Sequence, residues 1–267
     1  MCLILFSWNP KSVSSEPIGQ YPDTTNRLTV AANRDEFYLR PSQSAHFWDN
    51  DEQLLAGKDL QLHGTWLGIT RSGRFAAVTN FRKPDKNQYP LSRGKLCSDF
   101  LKGDDTPATY LKQLQSSQEQ YAGFNLLVGD QTTLCYFSNR SNTPPQQLEP
   151  GVYGLSNHLL NTEWPKVKTG VSTFKDVISR EFEHPPEREQ ALLKVLQNDL
   201  QADDSQLPQT GVGAAIEKML SPLFIRSPAY GTRASTVVQI KQSGDIRFLE
   251  QNYSSGGVLS ERIQHQL

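Results

Sequence analysis

Short apolar segments of strand length alternate along this chain with groups of amphipathic helical segments. The strand-like segments are LILFSW, RLTVAAN, TWLGIT, RFAAVTN, GFNLLVG, TTLCYFS, GVYGLSN, STVVQI and DIRFLEQ. Apolar residues recur at helical spacing in SRGKLCSDFLKG, PATYLKQLQSSQ, TEWPKVKTGVSTFKDVISREF, PPEREQALLKVLQNDL and GAAIEKMLSPLF. This order predicts an α+β fold, in which two antiparallel sheets pack face to face with helices outside, as a four-layer α-β-β-α sandwich.

Turn and cap residues define the boundaries of several elements. Hairpins are predicted around Arg71-Ser72-Gly73, around Asp130-Gln131 and around Ser243-Gly244. Pro107 suits the first position of a helix, and Thr162 is expected to cap the helix that begins near Pro165. A polar, proline-containing connection joins the first two strands. Because no linker or internal repeat divides the 267 residues, we expect one domain over residues 1–267.

Charge and cysteine usage exclude several classes of partner. The net charge is −1 and the basic residues are scattered, so neither nucleic acid nor a membrane surface is an expected partner. No apolar run is long enough for a membrane span, and the segment Cys2–Phe6 is too short for a signal peptide. Cys97 and Cys135 are expected to be small buried hydrophobic residues. The chain shows no disulfide framework and no metal-binding CxxC, which favours a cytoplasmic location.

Cys2 is the second residue of the chain and stands at the start of an apolar strand. Methionine aminopeptidases remove an initiator methionine when the next side chain is small, as that of cysteine is. Removal of Met1 would give Cys2 both a thiol and a free α-amine. Because an α-amine has a pKa of about 7.7–8.0, it is a usable base near neutral pH for the thiol attached to the same residue.

The strand Cys2–Trp8 is expected to pair with Arg27–Asn33 as a neighbouring antiparallel strand. This pairing places Cys2 beside the tetrad Asn33-Arg34-Asp35-Glu36, in which Asp35 would position the amine. The alternative is that these charged residues simply end a strand in solvent.

Three further residues complete a candidate catalytic set. Asn80 and Asn157 each end a strand, where an amide side chain would stabilise an oxyanion. Arg233 stands at the entry of the last hairpin, where a guanidinium would neutralise a carboxylate or lower the pKa of a thiol. Alternatively, asparagine is a common turn residue and an arginine before a strand is a solvated flank.

Several motifs together resemble the NRDE family, the family of the transport and Golgi organisation protein, from Met1 to about Leu249. They are Cys2, ANRDEFYLRPS, HGTWLGIT, AAVTNF, GFNLL, GVYGLSNHLL and GTR. The resemblance implies the fold of N-terminal-nucleophile hydrolases, whose relatives include bile-salt hydrolases and penicillin V acylases. It implies Cys2 as nucleophile, Asp35 as the aspartate, Asn80 and Asn157 as the two asparagines and Arg233 as the late arginine.

One position departs from the pattern of those hydrolases. They carry an arginine three residues before the aspartate, and Ala32 stands there in this chain. Arg34 is a neighbouring substitute, but its side chain is expected to point to the opposite face of the strand. Substrate orientation and hydrolysis are the properties that this departure affects.

Two functions follow from these observations. The first is a cysteine-type amidohydrolase that acts on a linear acyl amide or a related acyl derivative and requires no cofactor. The second, implied by the resemblance, is a non-catalytic protein that binds and traffics haem or acyl-CoA and other lipids, so that the partner is a small acyl or hydrophobic ligand. The predicted ligand-binding residues are Asn33, Arg34, Glu36, Trp66 and His158. The sequence leaves the ligand and the oligomeric state open.

Overall fold

The computed structural model describes residues 2–10 and 25–267. Met1 and nearly all of the connection predicted between the first two strands lie outside the described residues. The strands are β1 (Cys2–Trp8), β2 (Asn26–Phe37), β3 (Ser42–Trp48), β4 (Asp51–Asp59), β5 (Leu67–Thr70), β6 (Phe75–Asn80), β7 (Phe124–Gly129), β8 (Leu134–Ser138), β9 (Gln146–Gln147), β10 (Gly151–Leu155), β11 (Tyr230–Lys241), β12 (Ile246–Ser254) and β13 (Val258–Gln266). The α-helices are α1 (Arg93–Lys102), α2 (Pro107–Gln115), α3 (Pro165–Ile178), α4 (Pro185–Leu196) and α5 (Ala214–Met219).

The chain divides into two compact units, each containing one antiparallel sheet. The seven-stranded unit comprises Leu39–Glu149 and Asn157–Leu159, and the six-stranded unit comprises Cys2–Tyr38, Pro150–Ser156 and Leu160–Leu267. Because the chain enters the seven-stranded unit twice, neither unit is a single continuous stretch of sequence. The single domain predicted over residues 1–267 stays a prediction.

The sheet of the seven-stranded unit has the order β3-β4-β5-β6-β7-β8-β9. Helices α1 and α2 cover one of its faces, and their side chains Phe100 and Leu111 are fully buried in the shared apolar core. Pro107 occupies the start of α2, as predicted, and the Ser92 side chain caps α1, which was not predicted. Both predicted hairpins of this sheet, β5–β6 and β7–β8, are present.

The sheet of the six-stranded unit has the order β10-β1-β2-β11-β12-β13. Helices α3 and α4 pack on one face, where Phe174 and Leu192 meet the strand residues Leu3, Ala31 and Val237. Since side chains alternate along a strand, these strand residues identify the helix-facing side of the sheet. The predicted pairing of β1 with β2 and the hairpin β11–β12 are confirmed.

Some local predictions were wrong or incomplete. Thr162 does not cap α3: the helix begins at Pro165 after Trp164, and the Thr162 carbonyl accepts the Trp164 N–H at 2.7 Å. Strands β3, β4, β9 and β13 were not predicted. None of the helices among the described residues is long and apolar enough to cross a membrane.

Candidate active site

Cys2 is the first residue of β1 and lies directly opposite Arg34 of β2. Residues paired in this way project their side chains to the same face of a sheet. Arg34 therefore shares a face with Cys2, and also with Ala32, two residues earlier on the same strand. The expectation that Arg34 points to the opposite face was wrong, because the strand continues regularly and positions two residues apart face the same way.

The surroundings of the Cys2 thiol raise its pKa. Burial is the largest effect and raises the pKa of the thiol, although the residue retains some exposure. The Asp35 carboxylate raises this pKa further, whereas the Arg34 guanidinium and the backbone N–H of Asp35 lower it. Because the net shift is upward, Cys2 needs a base before it can act as a nucleophile near neutral pH.

Asp35 is buried and fixed by hydrogen bonds from β11. The Thr232 hydroxyl donates to Asp35 Oδ1 at 2.7 Å and itself accepts the backbone N–H of Ile225 at 2.9 Å. The Tyr230 hydroxyl donates to the Asp35 carbonyl at 3.0 Å. These bonds hold the carboxylate in one orientation, and its negative charge acts on the Cys2 thiol. The sequence analysis did not identify Thr232, although it lies within the GTR motif.

Arg233 occupies an irregularity in the pairing of β11 with β2. Thr232 pairs with Asp35 and Ala234 with Arg34, so that Arg233 is the extra residue of a β-bulge. Bulges redirect a side chain and are frequent beside active sites. Here the guanidinium donates to the carbonyl oxygens of Phe37 and Tyr38, at 3.0 and 3.2 Å.

Arg34 and Arg233 therefore differ in their relation to the thiol. Arg34 is a source of positive charge that acts on Cys2. Burial lowers the pKa of Arg233, while neighbouring Glu36 opposes that shift. The arginine that lowers the pKa of the Cys2 thiol is Arg34. The predicted catalytic role of Arg233 stays a prediction.

Asn33 is buried on the helix-facing side of β2. Its Nδ2 donates to the carbonyl oxygens of Leu196 and Leu223, at 2.9 and 2.8 Å, and its Oδ1 accepts from the Ser235 hydroxyl at 2.6 Å. Both amide hydrogens thus join the sheet to α4 and to the segment before β11. The predicted ligand-binding residue is engaged within the fold, whereas Glu36 at the strand end is partly exposed.

Ser156 is a further residue that the sequence analysis missed. It follows β10 in the YGLSN motif, and its hydroxyl donates to the Cys2 carbonyl at 3.1 Å. This bond fixes the backbone of the candidate nucleophile. The available signal was the motif itself, in which Ser156 directly precedes Asn157.

Asn80 and Asn157 come together within the seven-stranded unit. Asn157 is fully buried, and its Nδ2 donates to the backbone carbonyl of Asn80 at 2.9 Å. The Asn157 carbonyl accepts the backbone N–H of Arg82. The two asparagines implied by the family resemblance are therefore joined by a hydrogen bond. Asn80 is the more exposed of the two.

Trp66 and His158 also belong to the seven-stranded unit. The Trp66 ring occupies the space that a side chain at Gly57 would fill. The His158 ring lies against Phe81, with 4.8 Å between ring centroids, and burial lowers the pKa of this histidine. Their ligand-binding roles stay predictions, as does haem binding. Among the residues that the structure describes, no three or more His, Cys, Asp and Glu side chains form a group suited to a metal ion.

The fold resembles that of a solved amidase. A chain described as the Caenorhabditis elegans ortholog of N-acylethanolamine-hydrolyzing acid amidase superposes with a TM-score of 0.50 at 12% identity, over 88% of this chain and 92% of that one. With the two antiparallel sheets and their helices, this likeness confirms an α+β fold of the N-terminal-nucleophile hydrolase type.

The chain belongs to the Transport and Golgi organisation 2 family, whose family model matches residues 1–255. The Transport and Golgi organization protein 2 homolog of Bos taurus is 37% identical over 94% of this chain and 93% of its own length. The Drosophila melanogaster protein of that name is 28% identical over 94% of this chain and 92% of its own. The predicted NRDE-family membership is confirmed, while the cytoplasmic location stays a prediction.

Proposed function

We propose that this protein is an amidohydrolase in which Cys2 is the nucleophile and the substrate is a linear acyl amide or a related acyl derivative. The observation that carries the proposal is the position of Cys2: it begins β1, opposite Arg34, and the charge of Asp35, whose carboxylate is fixed by Thr232, acts on its thiol. The hydrolytic activity named for the C. elegans amidase supports an acyl amide as the substrate class.

The base in this proposal is the α-amine of Cys2 itself, exposed when Met1 has been removed. The amine takes the thiol proton, and the sulfur attacks the acyl carbon. The C–N bond then breaks, the leaving amine takes up the proton, and a thioester remains on Cys2. Water, deprotonated by the same amine, attacks the thioester, and the acid is released with the thiol restored. The raised pKa of the thiol is the physical reason that a base is needed.

Neighbouring charges have separate roles in these steps. Asp35 orients the amine and stabilises it when protonated, because its carboxylate cannot rotate freely away from Thr232. Arg34 supplies positive charge on the face of the sheet that carries Cys2. The oxyanion role of Asn80 and Asn157 stays a prediction, and removal of an amide donor of that kind typically costs about 10²–10³ in kcat.

The test is turnover of fatty acyl amides by the purified full chain, compared with its Cys2→Ala variant. We expect Cys2→Ala to remove all measurable turnover while leaving the circular dichroism spectrum and the unfolding midpoint unchanged. The matched control is Cys135→Ser, which alters a buried thiol of β8 and should retain activity. Turnover that persists in Cys2→Ala would eliminate the proposal.

A further inference from the structure

Three exposed leucines lie on two connections of the seven-stranded unit, one before β3 and one after β4, which a backbone hydrogen bond from Leu60 to Pro41 joins. Leu39 is 96% exposed, Leu60 44% and Leu62 51%. Leu39 precedes β3, and the other two follow β4, the strand that pairs with β3. We refer to these three side chains as the leucine tip. The largest apolar patch on a protein surface is often a functional one.

Hydrogen bonds hold the two connections that carry the leucine tip. The backbone N–H of Leu60 donates to the Pro41 carbonyl at 3.1 Å, which joins the two leucine-bearing segments. Asp59 Oδ1 accepts the N–H groups of Gln61 and Leu62, at 2.9 and 3.0 Å. The other carboxylate oxygen, Oδ2, accepts Arg40 Nε at 2.7 Å. These bonds fix the backbone that carries the leucines.

Two backbone features follow Leu62 in the connection after β4. His63 has a φ of 59°, in the left-handed region, which histidine adopts more often than most other non-glycine residues. The next residue, Gly64, lies so close to the Gly94 backbone that an added Cβ would come within 2.4 Å of it. Both features fix the backbone that follows Leu62.

We propose that the leucine tip inserts into the surface of a phospholipid bilayer. The apolar area of three leucines is of the order of a few hundred Å², whereas a stable protein interface buries about 800 Å² on each partner. A lipid surface accepts a small apolar projection, since it closes around the inserted side chains. Arg40 and Asp59 neutralise each other at the base of these connections, so this pair adds no net charge that would repel anionic headgroups.

The sequence analysis argued only against electrostatic binding to a membrane, and insertion of leucines is a different mode of binding. Scattered basic residues argue against an electrostatic attachment to membranes. Insertion of leucines depends instead on apolar burial, which salt does not screen. The proposal does not depend on Cys2 being a nucleophile, and a failed activity assay leaves it unaffected.

The experiment is flotation of the purified full chain with vesicles of phosphatidylcholine and phosphatidylserine, in 0.1 and 0.5 M salt. We expect wild-type protein to float at both salt concentrations, and Leu39→Ser/Leu60→Ser/Leu62→Ser to lose at least about tenfold in partitioning. The matched control is Leu200→Ser, which removes an exposed leucine outside the leucine tip and should bind as wild type does.

A spectroscopic variant makes the result independent of folding. Leu39→Trp places an indole at the most exposed of the three positions, where it disturbs no packing. Its fluorescence should shift to the blue when vesicles are added. Absence of wild-type flotation, equal flotation of the triple variant, loss of binding in 0.5 M salt, or no spectral shift would each overturn the proposal. A triple variant that instead loses self-association in light scattering, with no vesicle binding by wild type, would assign the leucine tip to a protein contact.

Discussion

The Cys2 thiol is surrounded by groups that act on its ionisation in opposite directions. Burial and the Asp35 carboxylate raise its pKa, and Arg34 lowers it. We therefore predict that alkylation of Cys2 by iodoacetamide becomes half-maximal at a pH above the value of about 8.5 typical of a free cysteine. Peptide mass spectrometry across a pH series measures this and separates Cys2 from Cys97 and Cys135.

Two charge variants test the assignment of these causes. Asp35→Asn removes the negative charge and should move the alkylation midpoint to lower pH. Arg34→Gln removes the positive charge and should move it to higher pH. The electrostatic account fails if the two variants shift the midpoint in the same direction, or if wild-type Cys2 reacts at a lower pH than a free cysteine.

Asn33 is predicted to contribute to stability. Asn33→Ala removes three buried hydrogen bonds and leaves the carbonyl oxygens of Leu196 and Leu223 without this donor. We expect a loss of about 3 kcal/mol or more in the free energy of unfolding, measured by urea denaturation. Ser235→Ala removes only the bond to Asn33 Oδ1 and should cost about 1 kcal/mol. Equal, small losses in both variants would show that Asn33 is not anchoring the sheet.

Between elements, the contact of Gly64 with α1 sets the position of the turn after β4. Gly64→Ala would bring a Cβ within 2.4 to 2.8 Å of Gly94 backbone atoms, which cannot move without shifting the helix. We predict a loss of about 1–3 kcal/mol in unfolding free energy. Gly103→Ala is the matched control, since its Cβ would meet only the Asp99 carbonyl, at 3.1 Å. If Gly64→Ala left the free energy of unfolding unchanged, the contact between Gly64 and Gly94 would not be tight in solution.

Elements with a strong apolar pattern were predictable, and elements stabilised mainly by pairing were not. The apolar residues of β1, β7 and β11 are buried, and their apolar composition is what predicted these strands. Strand β13 is largely exposed and lacks a buried apolar face, and it is held by its hydrogen bonds to β12. The bulge at Arg233 also has no sequence signal, because it depends on the register between two strands distant in sequence.

For the molecule as a whole, the sequence predicted the sheets better than it predicted the connectivity. Strand β10 pairs with β1, yet residues 39–149 of the seven-stranded unit intervene between β2 and β10. Continuity along the chain therefore gave no sign of two compact units. The candidate site was predictable in part: the antiparallel pairing brings Cys2 to Arg34 and Asp35, while Thr232 and Ser156 depend on strands whose placement the sequence did not reveal.

The proposed reaction requires a mature chain without Met1, and the mass of the intact protein reveals whether Met1 has been removed. Cys2 serves as both nucleophile and base only if it is the first residue of the mature chain. The direct measurement is the intact mass and the N-terminal peptide of the protein isolated from its own cell, before and after incubation with a fatty acyl amide. We predict a chain that begins at Cys2 and a transient acyl group on that residue. A chain that retains an amino acid before Cys2 throughout would contradict the mechanism, because the base would then be part of a peptide bond.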